Sequence, residues 1–221
     1  MAWLWDLTAQ DPAAHPVVLL EGQGGEVTAL AIGPNSDWLV IGSRDGTVRL
    51  WDLTAQDPAV LRGHEGPVTA LAISLDSHWL VTGSLDGTAR LWDLTAQDPA
   101  ARPTVLRGHD GPVWALAIGP DHHLLVTGGQ DKTARLWDLT SEDLAVSPAV
   151  LRGHEGAVTA LAIGPDHHWL VTGGQDKTAR LWDLTARDPA VRPVVLRGHE
   201  GAVTALAISA DGNRPRRVQV S

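Results

Sequence analysis

The chain has 221 residues, of which 43% are hydrophobic, so it is long enough to form one substantial core. Its formal net charge of −9 excludes a general nucleic-acid binder, whose affinity comes from Lys and Arg on phosphate, and disfavours an anionic membrane surface. Since it contains no Cys, it has neither a disulfide framework nor a thiolate metal site.

The beginning of the chain and its apolar runs give no targeting signal. Residues 1–11 show neither the basic n-region nor the apolar h-region of a signal peptide. Apolar runs such as residues 68–73 are far too short to span a bilayer. We therefore predict a cytoplasmic protein with no membrane and no nucleic-acid partner.

Trp-Asp dipeptides divide the chain into similar units. They begin at Trp5, Trp51, Trp92, Trp137 and Trp182, at intervals of 46, 41, 45 and 45 residues. A period of about 40–45 residues that opens near Gly-His and closes at Trp-Asp is typical of a propeller blade. We divide one domain, 1–221, into an N-terminal half-blade (1–20), four repeats (21–62, 63–107, 108–152 and 153–197) and an incomplete C-terminal repeat (198–221).

Each repeat predicts four short strands. In the second repeat these strands cover residues 68–73, 79–83, 88–92 and 104–107. The Asp86-Gly87 pair between two apolar runs predicts a hairpin between the second and third strands. No segment has helical periodicity. The sequence therefore predicts an all-β radial array of four-stranded antiparallel blades.

Four positions recur at fixed offsets in three repeats: after a His, Thr follows by 18 residues, Asp by 22 and Trp by 28. The three sets are His64, Thr82, Asp86 and Trp92; His109, Thr127, Asp131 and Trp137; and His154, Thr172, Asp176 and Trp182. One such set could be a catalytic triad, but a set that is built three times indicates architecture.

These motifs resemble the WD-repeat (Trp-Asp repeat) β-propeller family, and the near-identical copies resemble the bacterial type of such arrays. The resemblance covers essentially residues 1–213. It implies that each set forms a hydrogen-bonded tetrad inside its blade, from the Trp indole through Thr and His to Asp. A fully satisfied polar network of this kind fixes strand register.

The first repeat departs from the pattern. At the same offsets it carries Gln23, Ile41, Asp45 and Trp51, so both the His and the Thr are replaced. Ile41 cannot link Trp51 to Gln23, because its side chain neither donates nor accepts a hydrogen bond. We expect no complete tetrad in this blade, and we expect it to be the least stable of the four.

Three further patterns point weakly to chemistry. Residues 63–66 (Gly-His-Glu-Gly) lack the second His of a zinc-protease motif, and residues 128–133 lack the Gly and the following helix of a phosphate loop. The pairs His122-His123 and His167-His168 could bind metal, but they recur with the repeat in a predicted turn, which favours a solvated turn. We expect no enzyme activity, no cofactor and no metal site.

The resemblance also implies where partners dock, namely the flat face that carries the Gly-His loops and the turns between the second and third strands. The candidate partner-binding residues there are Trp114, Arg44, Glu26, Leu85, Gln130 and Gln175. Trp114 stands where the other copies have Thr, and Trp is enriched in binding hot spots. Two interpretations of Trp114 stay open, partner binding and filling of a gap between blades, while Arg44 could be a solvated surface charge.

We predict a noncatalytic scaffold that presents one propeller face to a protein partner. The alternative is a truncated or fragmentary portion of a larger signalling protein, an NTPase or kinase with a WD-repeat array. The C-terminal half-blade either completes the N-terminal one, which gives five blades, or leaves an open partial propeller that self-associates through its edges. Pro215 fits poorly where the last repeat needs its second strand.

Overall fold

The computed structural model describes residues 3–4, 17–18, 25–35, 38–53, 59–140, 148–191, 193–208 and 218–220. Every regular element in these ranges is a β-strand, so the fold is all-β as the repeat predicts. Within the same ranges, no helix has the length and apolar character needed to cross a membrane.

Four blades are antiparallel sheets in which four consecutive strands pair with their neighbours. Blade one contains β3 (Val27–Ile32), β4 (Trp38–Ser43), β5 (Val48–Asp52) and β6 (Ala59–Leu61). Blade two contains β7 (Val68–Ile73), β8 (Trp79–Ser84), β9 (Ala89–Asp93) and β10 (Thr104–Leu106). Blade three contains β11 (Val113–Ile118), β12 (Leu124–Gly129), β13 (Ala134–Asp138) and β14 (Ala149–Leu151). Blade four contains β15 (Val158–Ile163), β16 (Trp169–Gly174), β17 (Ala179–Asp183) and β18 (Val194–Leu196).

Short two-stranded sheets stand before and after the four blades. The first pairs β1 (Trp3–Leu4) with β2 (Val17–Val18), and the last pairs β19 (Leu206–Ile208) with β20 (Val218–Val220). Among the described residues these two sheets are separate from each other. Within these ranges no strand pairing closes a five-bladed ring, and the four blades with two separate short sheets correspond to the open partial propeller of the sequence analysis.

The turn between the second and third strands requires one residue with positive φ. Gly46 and Gly87 meet this requirement at φ 81° each, as the Asp-Gly pattern predicts. In blades three and four the same position is taken by Lys132 (φ 67°) and Lys177 (φ 65°), so the turn keeps its shape without Gly. The repeated carboxylate one residue earlier holds it: Asp86 Oδ1 accepts hydrogen bonds from the Thr88 backbone N–H at 2.8 Å and the Thr88 hydroxyl at 2.7 Å.

A β-bulge interrupts the start of the first strand in every blade. The pairing shifts between Val68 and Ala70, and the same shift recurs in the other three blades. The residue at the bulge is left out of the ladder, and bulges re-aim side chains in this way. The bulged residues are Thr28, Thr69, Trp114 and Thr159.

The core lies in the seams between neighbouring blades. At the first seam, Val40, Leu50 and Leu61 of blade one pack against Leu80 and Trp92 of blade two. The next two seams repeat this arrangement, with Trp137 and Trp182 in the place of Trp92. The first strands β3, β7, β11, β15 and β19 contact one another in chain order, so the blades fan out from them. Each blade is thus stabilised by its neighbours rather than by a core of its own.

The last strand pair departs from the register of the complete blades. In blade two Ile73 pairs with Leu80, whereas the equivalent Ile208 pairs with Val218, which is three residues later along the chain than the repeat requires. By the repeat, residues 214–218 align with the second strand, where Pro215 was expected to fit poorly. Residues 209–217 lie outside the described part of the chain.

Candidate functional site

The structure brings the four repeated residues of blade two into one chain of hydrogen bonds. Trp92 Nε1 donates to the hydroxyl of Thr82 at 3.1 Å. His64 Nε2 lies 2.8 Å from the same hydroxyl, and His64 Nδ1 lies 2.9 Å from Asp86 Oδ2. Since the carboxylate can only accept, Nδ1 carries the proton, and Nε2 accepts from Thr82.

The same network forms in blades three and four. Trp137 and Trp182 donate to their Thr hydroxyls at 3.0 Å, and both His Nε2 atoms lie 2.8 Å from those hydroxyls. The Nδ1 atoms of His109 and His154 lie 3.0 and 2.9 Å from the carboxylates of Asp131 and Asp176. Three blades therefore contain a complete polar network that joins the second and third strands to the Gly-His loop and to the turn between those strands.

The protonation states of these networks follow from burial. Burial lowers the pKa of His64 and of His154 below the ordinary value, against the opposing effect of the neighbouring Asp. Burial would raise the pKa of Asp86, but hydrogen bonds from Thr88, His64 and the Glu65 backbone lower it to about 2. The lowered pKa keeps the rings of His64 and His154 neutral near pH 7. The side chain of His64 is 0% exposed, so a substrate has no access to it.

Blade one lacks this network at its Trp. The indole nitrogen of Trp51 is buried and has no hydrogen-bond partner within the described ranges, while Ile41 is fully buried where the other blades have Thr. Asp45 still holds its turn through the Thr47 backbone and hydroxyl, at 3.0 and 2.7 Å. Gln23 lies outside the described residues. A buried unsatisfied donor costs about 1–3 kcal/mol.

The bulged residue of each first strand lies at the Gly-His end of its blade. In two blades this Thr ties neighbouring blades together: the Thr69 hydroxyl donates to the Val113 carbonyl, and the Thr159 hydroxyl donates to the Val203 carbonyl at 2.7 Å. Thr28 donates within its own blade, to the Gly42 carbonyl at 3.1 Å.

Trp114 has a different environment from these Thr residues. Its indole nitrogen donates to Gln130 Oε1 at 2.8 Å, and the side chain is only half-buried. It is not a member of the buried clusters that fill the two seams beside blade three. Of the two interpretations left open by the sequence, this geometry favours a surface role over the filling of a gap between blades.

A groove of about 310 Å³ opens beside Trp114 and reaches across three blades. Its lining residues are Glu26, Thr28, Arg44, Pro67, Val68, Thr69, Leu85 and Trp114. The structure thus brings together four of the six predicted face residues, and Gln130 adjoins them through its bond to Trp114. Gln175 is exposed on blade four and lies outside the groove.

The groove combines an apolar wall with a paired charge. Leu85 supplies the apolar wall and is 37% exposed. Arg44 Nη1 lies 2.8 Å from Glu26 Oε2, and both side chains are about two-thirds exposed, so the pair contributes little to stability. Sequence reasoning missed Val68 as a lining residue and missed the bond between Trp114 and Gln130, because neither a bulge nor a seam is visible in the repeat pattern.

The His pairs lie in the turns at the opposite end of the blades. His122 Nε2 lies 3.8 Å from Asp76 Oδ2, and His167 Nδ1 lies 3.3 Å from Asp121 Oδ2, each across a seam. His122 and His167 have positive φ of 64° and 58°. Among the described residues, no group of three His, Cys, Asp or Glu side chains is arranged to hold a metal ion.

The comparisons with known proteins agree with this architecture. The family model described as WD domain, G-beta repeat matches residues 14–52, 56–93, 102–138, 146–183 and 192–214. Each of the three middle spans begins near the last strand of one blade and ends at the Trp-Asp of the next. Comparison with curated proteins gave no match. Since the family model covers most of the sequence, the chain belongs to the WD-repeat family.

Proposed function

We propose that this chain is a noncatalytic scaffold that binds a protein partner in the groove beside Trp114. WD repeats are commonly protein-interaction scaffolds, and their propellers are typically noncatalytic. The observation that carries the proposal is the position of Trp114 at the mouth of a groove that crosses three blades. Partners of this chain would be protein segments rather than nucleic acid, given the net charge of −9.

Trp114 has the properties of a binding anchor. A half-buried Trp offers a large apolar surface at low entropic cost, and such residues dominate the energy of many interfaces. Its ring is held in place by the 2.8 Å hydrogen bond to Gln130, so little order has to be gained when a partner arrives. The exposed part of Leu85 extends the apolar wall.

The other copies of the repeat indicate that Trp114 is not required for folding. At the same bulge Thr69 and Thr159 donate to the next blade, and Trp114 cannot reproduce this bond with its indole nitrogen engaged by Gln130. With Trp114 in place of Thr, the hydrogen bond to the next blade is lost and a hydrogen bond to Gln130 at the surface is gained. That exchange is expected at a position selected for binding.

The size of the groove favours a protruding side chain or an extended peptide over a flat docking surface. A volume of about 310 Å³ is near the lower limit of ligand pockets, enough for one or two side chains. The Arg44–Glu26 pair at the rim offers one donor and one acceptor group that can exchange their mutual bond for bonds to a peptide backbone.

Selection of random peptides displayed on phage against the full chain tests this proposal. Peptides that bind should lose at least tenfold in affinity with Trp114→Thr and severalfold with Leu85→Ala, measured by fluorescence polarisation. Leu75→Ala is the matched control, because Leu75 is 60% exposed and lies in a turn of β7–β8 at the other end of blade two. Selected peptides that bind equally well to the wild type and both groove variants would contradict the proposal.

Three expectations from the sequence stay predictions: the cytoplasmic location, the alternative of a portion of a larger signalling NTPase or kinase, and the repeat boundaries. The proposed face would be available for binding in either a separate chain or a larger one.

A further inference from the structure

The seams inside the chain show what each blade face needs. We call the face that packs on the preceding blade the leading face and the other the trailing face. On the leading face of blade two, Leu71, Ile73 and Leu94 pack against blade one. On the trailing face of blade one, Leu50 and Leu61 are 1% and 0% exposed. Both faces are apolar and need a cover.

The leading face of blade one has no such cover. Leu30 and Ile32 are each 53% exposed, although their counterparts Leu71 and Ile73 are packed in a seam. Leu53 is 38% exposed, whereas its counterpart Leu94 is 7% exposed. These three residues make one uncovered apolar patch on β3 and the end of β5.

The trailing face of blade four is covered only in part. Val203 ahead of β19 is fully buried there and accepts the hydrogen bond from Thr159, so the inner portion is filled. The outer portion is not filled: Val194 is 55% exposed, and Leu196 is partly exposed, while Leu106 and Leu151 at the same position are each 1% exposed. The missing cover corresponds to the third and fourth strands of a following blade.

The two short sheets correspond to complementary halves of a blade, although only the first of them keeps the blade register. In β1–β2, Trp3 pairs with Val18 and Leu4 with Val17, which is the register of Arg90 with Val105 and Leu91 with Thr104 in β9–β10. This sheet therefore corresponds to the third and fourth strands. The β19–β20 sheet corresponds to the first and second strands, because Leu206 to Ile208 repeat Leu71 to Ile73. Among the described strands, none pairs with the edge at which the two sheets would meet.

We propose that a second copy of the chain completes this blade, with β1 of one copy pairing along β20 of the next. Among the described residues the two short sheets of one chain do not pair with each other, so neither occupies the other's edge. The shared blade would cover the outer part of blade four in one copy and the Leu30–Ile32 patch in the other. Such a contact is heterologous and joins copies head to tail. It is independent of the groove beside Trp114.

The register of the complete blades predicts which residues meet between copies. In blade two, Ala72 pairs with Val81, and Val81 pairs with Leu91. In the shared blade, Ala207 pairs with Gln219, and the counterpart of Leu91 is Leu4. Gln219 of one copy should therefore lie opposite Leu4 of the next.

Disulfide trapping tests the pairing directly, since the chain has no Cys of its own. Oxidised Leu4→Cys/Gln219→Cys protein should run as a ladder of multiples of 23.5 kDa on a non-reducing denaturing gel. The matched control is Trp3→Cys/Gln219→Cys, which is out of register by one residue and should give a much weaker ladder. A cross-linked species of 23.5 kDa, which means closure within one chain, would overturn the proposal, as would the absence of any cross-link.

Light scattering of charge-bearing variants tests the apolar patch. The wild type should have a mass that is a multiple of 23.5 kDa, and Leu30→Asp/Ile32→Asp should have a mass of 23.5 kDa. Leu75→Asp is the control and should keep the wild-type mass, because Leu75 is equally exposed but distant from both faces. Circular dichroism checks that each variant retains its β-structure. An unchanged mass in the double Asp variant, or a wild type of 23.5 kDa at tens of micromolar, would overturn the proposal.

Discussion

Trp114 Nε1 donates a hydrogen bond to Gln130 Oε1 at 2.8 Å, within one blade, at the position where Thr159 donates across a seam to the Val203 carbonyl at 2.7 Å. The two residues occupy the same bulge in consecutive repeats. The seam between blades three and four therefore lacks the hydrogen bond that its neighbours have. One surface residue thus connects the stability of the array to the binding proposed for its face.

Replacing Thr159 by Val should destabilise the protein by about 1 kcal/mol, the typical net contribution of one hydrogen bond. The variant keeps the shape of the side chain but leaves the Val203 carbonyl without its donor. The free energy of unfolding from urea titrations measures the effect. Thr28→Val is the matched control, because the Thr28 bond stays within one blade at an exposed site and should cost less. Equal losses would show that the seam bond has no special role.

The tetrad predicts an unequal response to removal of an indole N–H. Trp137→Phe deletes the donor to Thr127, leaving a buried hydroxyl short of a partner in an otherwise satisfied network, and should cost about 1–3 kcal/mol beyond the change in packing. Trp51→Phe deletes an indole N–H that has no partner among the described residues, so it should cost little. Urea unfolding of the two variants side by side measures the difference, and a larger loss for Trp51→Phe would contradict the tetrad interpretation.

Completing the tetrad of blade one should stabilise the chain. Ile41→Thr gives the Trp51 indole an acceptor, and Gln23→His supplies the ring that the other repeats carry. The double variant should raise the free energy of unfolding by about 1 kcal/mol or more. Ile41→Thr alone should not raise the free energy of unfolding, because it buries a hydroxyl without its second hydrogen-bond partner. A double variant that is no more stable than the single one would refute the design.

The pH dependence of stability should have two stages. The pKa values of His64 and His154 are lowered by burial, so the unfolded chain binds these protons first, and stability falls as pH drops below about 6.5. The pKa of Asp86 and of Asp176 is about 2, so their contribution is present above about 3.9 and is lost as pH falls towards 2. Melting temperatures between pH 8 and 2 measure both stages. A melting temperature that rises between pH 7 and 5 would contradict the neutral, buried His.

Much of the fold could be predicted because repetition separates architecture from chemistry. The bounds of β7 are those expected. The second and fourth strands of the blade differ from the expectation by one residue at one end and the third by one residue at each end, where hydrogen bonding rather than hydrophobicity decides. The tetrad residues meet because their spacing fits a meander of fixed register. Repeats also hide what is local to one copy. The shifted pairing of Ile208 with Val218 belongs to the last strand pair alone, and the groove depends on how three blades converge.

The predicted face residues also show which features follow from the repeat and which are local to one copy. Leu85, Arg44 and Glu26 were predicted from their position in the repeat, and they line the groove. Gln175 occupies the equivalent position in blade four but lies outside it, because the groove follows the departure at Trp114 rather than the repeat. Position in a repeat predicts which end of a blade a residue occupies, but the shape of that end depends on its neighbours.

Trp114→Thr tests the central claim most directly, because it copies the residue that the other blades carry. The account predicts at least a tenfold rise in the Kd of a selected peptide, which is about 1.4 kcal/mol, together with a free energy of unfolding equal to or above that of the wild type. His109→Ala provides the reference for structural damage, since it breaks a buried network. An unchanged Kd, or a loss of stability as large as that of His109→Ala, would contradict the assignment of Trp114 to a binding face.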